Sequence, residues 1–146
     1  MSEAGCPGVA DPGASIVARA HQLGIKVVPL VGPSSILLAL MASGFSGQKF
    51  AFHGYLPIDK IERAKEIKNL EQQSARQNQT QIFIETPFRN NALLADLLKI
   101  CKPSTLLCIA SNVTAAEESI QSLTVAEWRK RKDDFHKKPT IFLLYV

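Results

Sequence analysis

The chain has 146 residues, 46% of them hydrophobic, with three cysteines and a formal net charge of +4. That apolar fraction excludes a disordered chain, and the length suits one ordinary domain or parts of two. No apolar run approaches the ~20 residues of a membrane helix, the first residues lack the pattern of a secretory signal, and Cys6, Cys101 and Cys108 have no metal-ligand or redox spacing.

Residues 1–46 are electrically balanced, Arg19 and Lys26 against Glu3 and Asp11, so the whole positive excess falls in residues 47–146. The expectation is a reducing, cytoplasmic protein with free buried thiols, no metal and no membrane span.

Asp11-Pro12-Gly13 reads as a helix start, with Asp as cap and Pro in the first turn. The helix runs to about Gln22 and ends at Gly24. Ile25 to Val31 is β-branched and apolar, which predicts a buried parallel strand closed by Gly32-Pro33. A second helix opens at Pro33 and stops at Gly44; its apolar circumference (Ile36, Leu37, Leu38, Leu40, Met41) predicts burial between layers.

Character changes after Gly47. Lys49 to Tyr55 reads as a strand, and Asp59 with Glu62 forms a capping-box pattern for a helix with Ile61, Ala64, Ile67 and Leu70 on its apolar face, fading near Gln77. Gln81 to Glu85 reads as a strand, and Thr86-Pro87 opens a helix carrying Leu93, Leu94, Leu97, Leu98 and Ile100. Leu106 to Ala110 and Ile141 to Val146 read as the last strands. Alternating strand and helix predict a three-layer α/β sandwich.

Four segments carry a resemblance. Ser2 to Gly13 is similar to an "S-D-A-G-x-P-x-x-x-D-P-G" loop, and Pro29-Leu30-Val31-Gly32-Pro33-Ser34-Ser35 to a "P-x-x-G-P-S" turn. Phe52-His53-Gly54-Tyr55-Leu56-Pro57 resembles "F-x-G-F-L-P", and Ile84-Glu85-Thr86-Pro87-Phe88-Arg89 resembles "Y-E-S-P-H-R". In this order they resemble the tetrapyrrole methylase superfamily, nearest its branch that methylates a cytidine ribose 2′-oxygen in small-subunit ribosomal RNA.

The resemblance implies two αβα domains with S-adenosylmethionine in the cleft between them, and a homodimer. The family's opening "G-T-P-I-G-N" loop has no match here. Residues 1–46 are therefore expected to be the C-terminal part of an incomplete first domain, and residues 47–146 the whole second domain. Glu3 stands for the family's Asp and Phe88 for its His. The segment Ala110 to Glu118 keeps the Ala and Thr of "A-R-E-L-T-K-x-x-E" but lacks its Arg and Lys.

Carried residue by residue, the resemblance assigns Glu3, Ala4, Gly5, Pro33, Ser34, Ser35 and Ala110 to the cofactor. Backbone amides at a helix N-terminus suit the carboxylate of its methionine part. Glu85 and Arg89 follow a strand end, where α/β proteins bind ligands; they are either substrate-facing or simply paired with each other. Arg129, Lys130, Arg131 and Lys132 beside Trp128 suit the phosphates and bases of ribosomal RNA or the small subunit. A solvated face and a core tryptophan are the alternatives.

His53 is a structural strand residue or, less simply, a base, and no catalytic base is assigned. The expected activity is methyl transfer to a ribosomal RNA ribose. A tetrapyrrole or other small acceptor, and a non-catalytic fragment or binding module, are the competing readings.

Overall fold

A computed structural model describes Cys6 and residues 8–146. Its elements are α1 (Ala14–Gln22), α2 (Ser35–Ser43), β1 (Phe50–Tyr55), α3 (Lys60–Gln77), β2 (Thr80–Ile84), α4 (Asn90–Ile100), β3 (Leu106–Ser111), β4 (Ser119–Thr124), α5 (Val125–Trp128) and β5 (Thr140–Tyr145). The strands form one sheet in the order β1-β2-β5-β3-β4. Only β1 and β2 run parallel; β5 is antiparallel to β2 and β3, and β4 to β3.

Side-chain alternation along the strands builds two cores. Phe83, Leu107, Ile109, Phe142 and Leu144 face one side and pack with Ile67 and Leu70 of α3, Leu93 and Leu97 of α4, and Val125 and Trp128 of α5. Their neighbours Ile82, Cys108, Ala110, Ile141 and Leu143 face the other side and pack under Ile36, Ala39 and Leu40 of α2. The three expected layers are therefore present. α2, on the N-terminal side of the expected boundary, packs against β5, β4 and β3. The described residues thus form a single domain and not two αβα domains.

Several sequence expectations need correction. Residues 25–31 form no strand, and Leu30 and Val31 are 87% and 106% exposed. A strand exists only when a neighbour takes up its amides and carbonyls, and no described strand pairs with this segment. α2 is buried on one face only; Leu37 and Met41 are exposed because nothing described lies above the helix. α1 starts from Gly13 without a side-chain cap and buries no residue. α4 begins at Asn90, after a turn over 87–89, rather than at Pro87.

The α3 cap is half as expected. Asp59 accepts from the amides of Ile61 and Glu62, whereas Glu62 pairs with Lys65 at 2.7 Å. Two glycines have a conformational reason: Gly44 closes α2 at φ 75°, and Gly54, at φ 65°, lies in the irregularity that shifts β1 against β2 between Phe52 and Tyr55.

Candidate functional site

Ile84, Ile141 and Ala110 are aligned across β2, β5 and β3, with Thr140 opposite Ser111 one step further out. This row marks the C-terminal ends of β2 and β3, and the N-terminus of α2 lies over it. Two cavities meet there. One, about 160 Å³, is lined by residues that include Cys6, Asp11, Pro33, Ser34, Ser35 and Phe52. The other, about 190 Å³, is lined by residues that include Ser35, Ala110, Asn112, Val113, Pro139 and Thr140. Ser35 and Ile141 border both.

The expected cofactor residues Pro33, Ser34, Ser35 and Ala110 therefore converge on one region, although Ala110 lies 75 positions beyond Ser35 in the chain. Glu3, Ala4 and Gly5 lie outside the described residues. Ser34 is extended and makes no side-chain cap bond. The first-turn amides of α2 are accordingly left for another acceptor, with the positive end of the helix dipole behind them.

The loop after β3 forms the far wall. Asn112 and Thr114 hold φ of 50° and 70°, rare for an asparagine and rarer for a β-branched threonine. Asn112 N donates to Pro139 O at 2.9 Å and Thr114 N to Glu118 Oε2 at 2.6 Å, which holds the loop in this shape.

Glu85 and Arg89 form an ion pair at 2.6 Å, with the Glu85 side chain 1% exposed; Oε1 of Glu85 also accepts from Thr86 N at 2.6 Å. Neither borders the two cavities. Ile84 faces α2 and Phe83 the opposite core, so the next residue in alternation, Glu85, falls on the α4 side. Its buried charge is compensated by the guanidinium, which is the structural alternative read from the sequence. His53 Nε2 meets Gln81 Oε1 at 2.7 Å in a cross-strand hydrogen bond.

The basic cluster divides. Arg129 donates to the carbonyls of Leu98 (2.8 Å) and Cys101 (3.2 Å) and so closes the C-terminus of α4. Arg131 makes a two-pronged pair with Asp133 (2.6 and 2.9 Å) and stacks 5.3 Å from the Trp128 ring. Lys130 and Lys132 are exposed. Trp128 is buried and donates to Leu107 O at 2.8 Å, so it anchors α5 and stacks no base.

Sequence reasoning missed Phe52, Ile84, Ile141, Asn112 and Pro139 as cavity residues. The first three are ordinary strand positions. The available signal was strand alternation, which puts Ile84 and Ile141 on the α2 face at a strand end. Among the described residues there is no cluster of His, Cys, Asp or Glu suited to a metal, and no helix is long and apolar enough to cross a membrane.

No family model matches the chain. It is 37% identical over 147 residues to a protein of Vibrio cholerae named ribosomal RNA small subunit methyltransferase I, covering 99% of this chain and 49% of that one. It is 38% identical over 127 residues to the protein of the same name from Neisseria meningitidis serogroup A, covering 87% and 42%. The chain spans about half the length of the curated relatives it matches. Among solved structures the methyltransferase CobJ shares its fold, with a TM-score of 0.62 at 20% identity over 97% of this chain and 61% of that one. Sequence and fold together place the chain in the tetrapyrrole-methylase-like superfamily, with its sequence affinity to the ribosomal RNA small subunit methyltransferase I proteins.

Proposed function

We propose that this chain is part of a cytoplasmic, homodimeric, S-adenosylmethionine-dependent methyltransferase whose acceptor is a ribose 2′-hydroxyl of small-subunit ribosomal RNA. The observation that carries the reading is the convergence of Pro33, Ser34, Ser35 and Ala110 on adjoining cavities at the strand ends. S-adenosylmethionine supplies an electrophilic methyl group on a sulfonium. The residues here supply position: the uncapped first turn of α2 would receive a carboxylate, and Phe52, Ile84 and Ile141 would give an apolar floor. In-line displacement asks mainly for alignment and exclusion of water, which such a floor favours.

In this reading residues 1–46 are the C-terminal part of a first domain whose α2 is folded onto the sheet of the second, residues 47–146, so that the described residues pack as one unit. The exposed apolar side chains of α1, of its C-cap Leu23 and of residues 25–31 (Ile16, Leu23, Ile25, Val28, Leu30, Val31) would then be covered by protein surface that the described residues do not supply. The same surface would provide the second wall of the cofactor cleft.

Titration of the 146-residue chain with S-adenosylmethionine, followed by amide chemical shifts, tests both parts. Weak binding or none is expected, with a dissociation constant above about 10 μM and any shifts centred on residues 3–5, 34–36 and 110–113. Shifts confined to other parts of the chain would remove the cofactor reading. Binding tighter than about 10 μM would remove the need for a second wall.

A further inference from the structure

At the same end of the sheet, two segments from distant parts of the chain are locked together. Asn90, fully buried at the start of α4, donates to the carbonyls of Phe135 (3.2 Å) and Lys138 (2.7 Å). Asn91 accepts from Phe135 N at 2.9 Å and donates to Asp134 Oδ1 at 2.7 Å. Lys137, held at φ 59°, donates its amide to Pro87 O at 2.9 Å. What this clamp presents is an exposed aromatic pair. Phe88 is 68% exposed, and its ring meets His136 edge-on, with centroids 5.8 Å apart and planes at 74°.

An apolar ring left open on a rigid turn is not explained by packing, because it joins neither core. Lys137 and Lys138 follow His136 directly and are exposed, Lys138 turning its Nζ to Asp134 O at 2.8 Å, while Arg89, next to Phe88, is paired with Glu85. Of the aspartates nearby, Asp133 pairs with Arg131, and Asp134 accepts from Asn91 and from His136 N. Phe88 follows Ile84 of one cavity by four positions, and His136 precedes Pro139 of the other by three.

We infer that Phe88, backed by His136, is a stacking platform for an unpaired base of single-stranded RNA, with Lys137 beside it for the adjoining phosphate. Every base offers a π-face to such a ring, and the preformed clamp lowers the ordering cost of the contact. The inference rests on the ribosomal RNA reading and adds to it where the strand would lie.

The test is fluorescence anisotropy of the 146-residue chain with a labelled mixed-sequence single-stranded RNA and with a duplex of the same composition. Phe88→Ala should weaken single-strand binding by about 5- to 150-fold, with Phe88→Tyr close to wild type and duplex binding unchanged. Lys137→Ala should reduce the salt slope on the single strand by about 0.7. If wild type binds single-stranded RNA and Phe88→Ala binds it equally well, the platform is overturned and the RNA reading stands. If wild type binds no RNA, both fall. If Phe88→Ala changes only the oligomeric state, the ring belongs to a protein interface and the inference is wrong.

Discussion

The thiols show how position sets reactivity. Burial pushes the Cys101 thiol up to about 12, aided by the neighbouring Glu71 carboxylate, and burial also raises Cys108. Both belong to the cores. Cys6 is half-buried at a cavity wall, its Sγ 3.6 Å from Pro33 O. A thiol reagent at pH 8 should therefore modify Cys6 in the native protein, and Cys101 and Cys108 only after denaturant is added. Rapid native labelling of a second thiol would contradict this packing.

Asp134 gives the corresponding acid-side prediction. The hydrogen bond from Asn91, then that from His136 N, holds its carboxyl below the usual range. A depressed folded-state pKa contributes stability that is present above the unfolded value and lost as pH falls through the folded one. Protection of the amides in residues 133–138 relative to their intrinsic exchange should thus hold at pH 5 and above. It should fall selectively below about pH 4, the ordinary aspartate range, and Asp134→Asn should flatten that dependence.

At this scale the start of α2 was legible and the surroundings of Glu85 were less so. The Gly-Pro-Ser turn can be read as a helix start without knowing the fold. Whether Glu85 points to a cleft or to Arg89 depends on strand parity and on where α4 begins, which sequence leaves open.

Among the elements, α3 was readable because Asp59 and the Ile67/Leu70 face both speak locally. β4 was not. Ser-Ile-Gln-Ser-Leu-Thr is a polar edge strand whose only strand partner among the described residues is β3, and an edge needs no continuous apolar run. The four-residue α5 carries a full capping box, Thr124 with Glu127, yet is too short to announce itself by periodicity.

The basic run beside α5 shows why composition misleads: half of its charge is committed to structure. Arg129→Ala should remove two carbonyl partners at the end of α4 and cost about 1–2 kcal/mol in denaturant unfolding. The double variant Lys130→Ala/Lys132→Ala should leave stability within about 0.5 kcal/mol. If these lysines meet phosphate, it should lower the RNA salt slope by about 1.4. An unchanged slope would return both lysines to ordinary solvated surface. Replacing all four cations at once would mix the two effects.

For the whole molecule, the layers followed from strand–helix alternation, whereas the strand order did not. Nothing local says that β5 returns to lie between β2 and β3, nor that residues 25–31, apolar as they are, have no described strand beside them. Pairing partners are long-range facts, and a β-branched run carries the same signature with or without a neighbour. The placement of β5 has a kinetic consequence. The parallel pair β1–β2 and the hairpin β3–β4 share no ladder except through β5, which comes after both in chain order. Until that strand has emerged, the two half-sheets have no shared ladder, and each shows a bare edge to its surroundings. Closure of the sheet is thus a late, long-range event. Such a topology folds more slowly than one built from local contacts and exposes sticky intermediates while it waits.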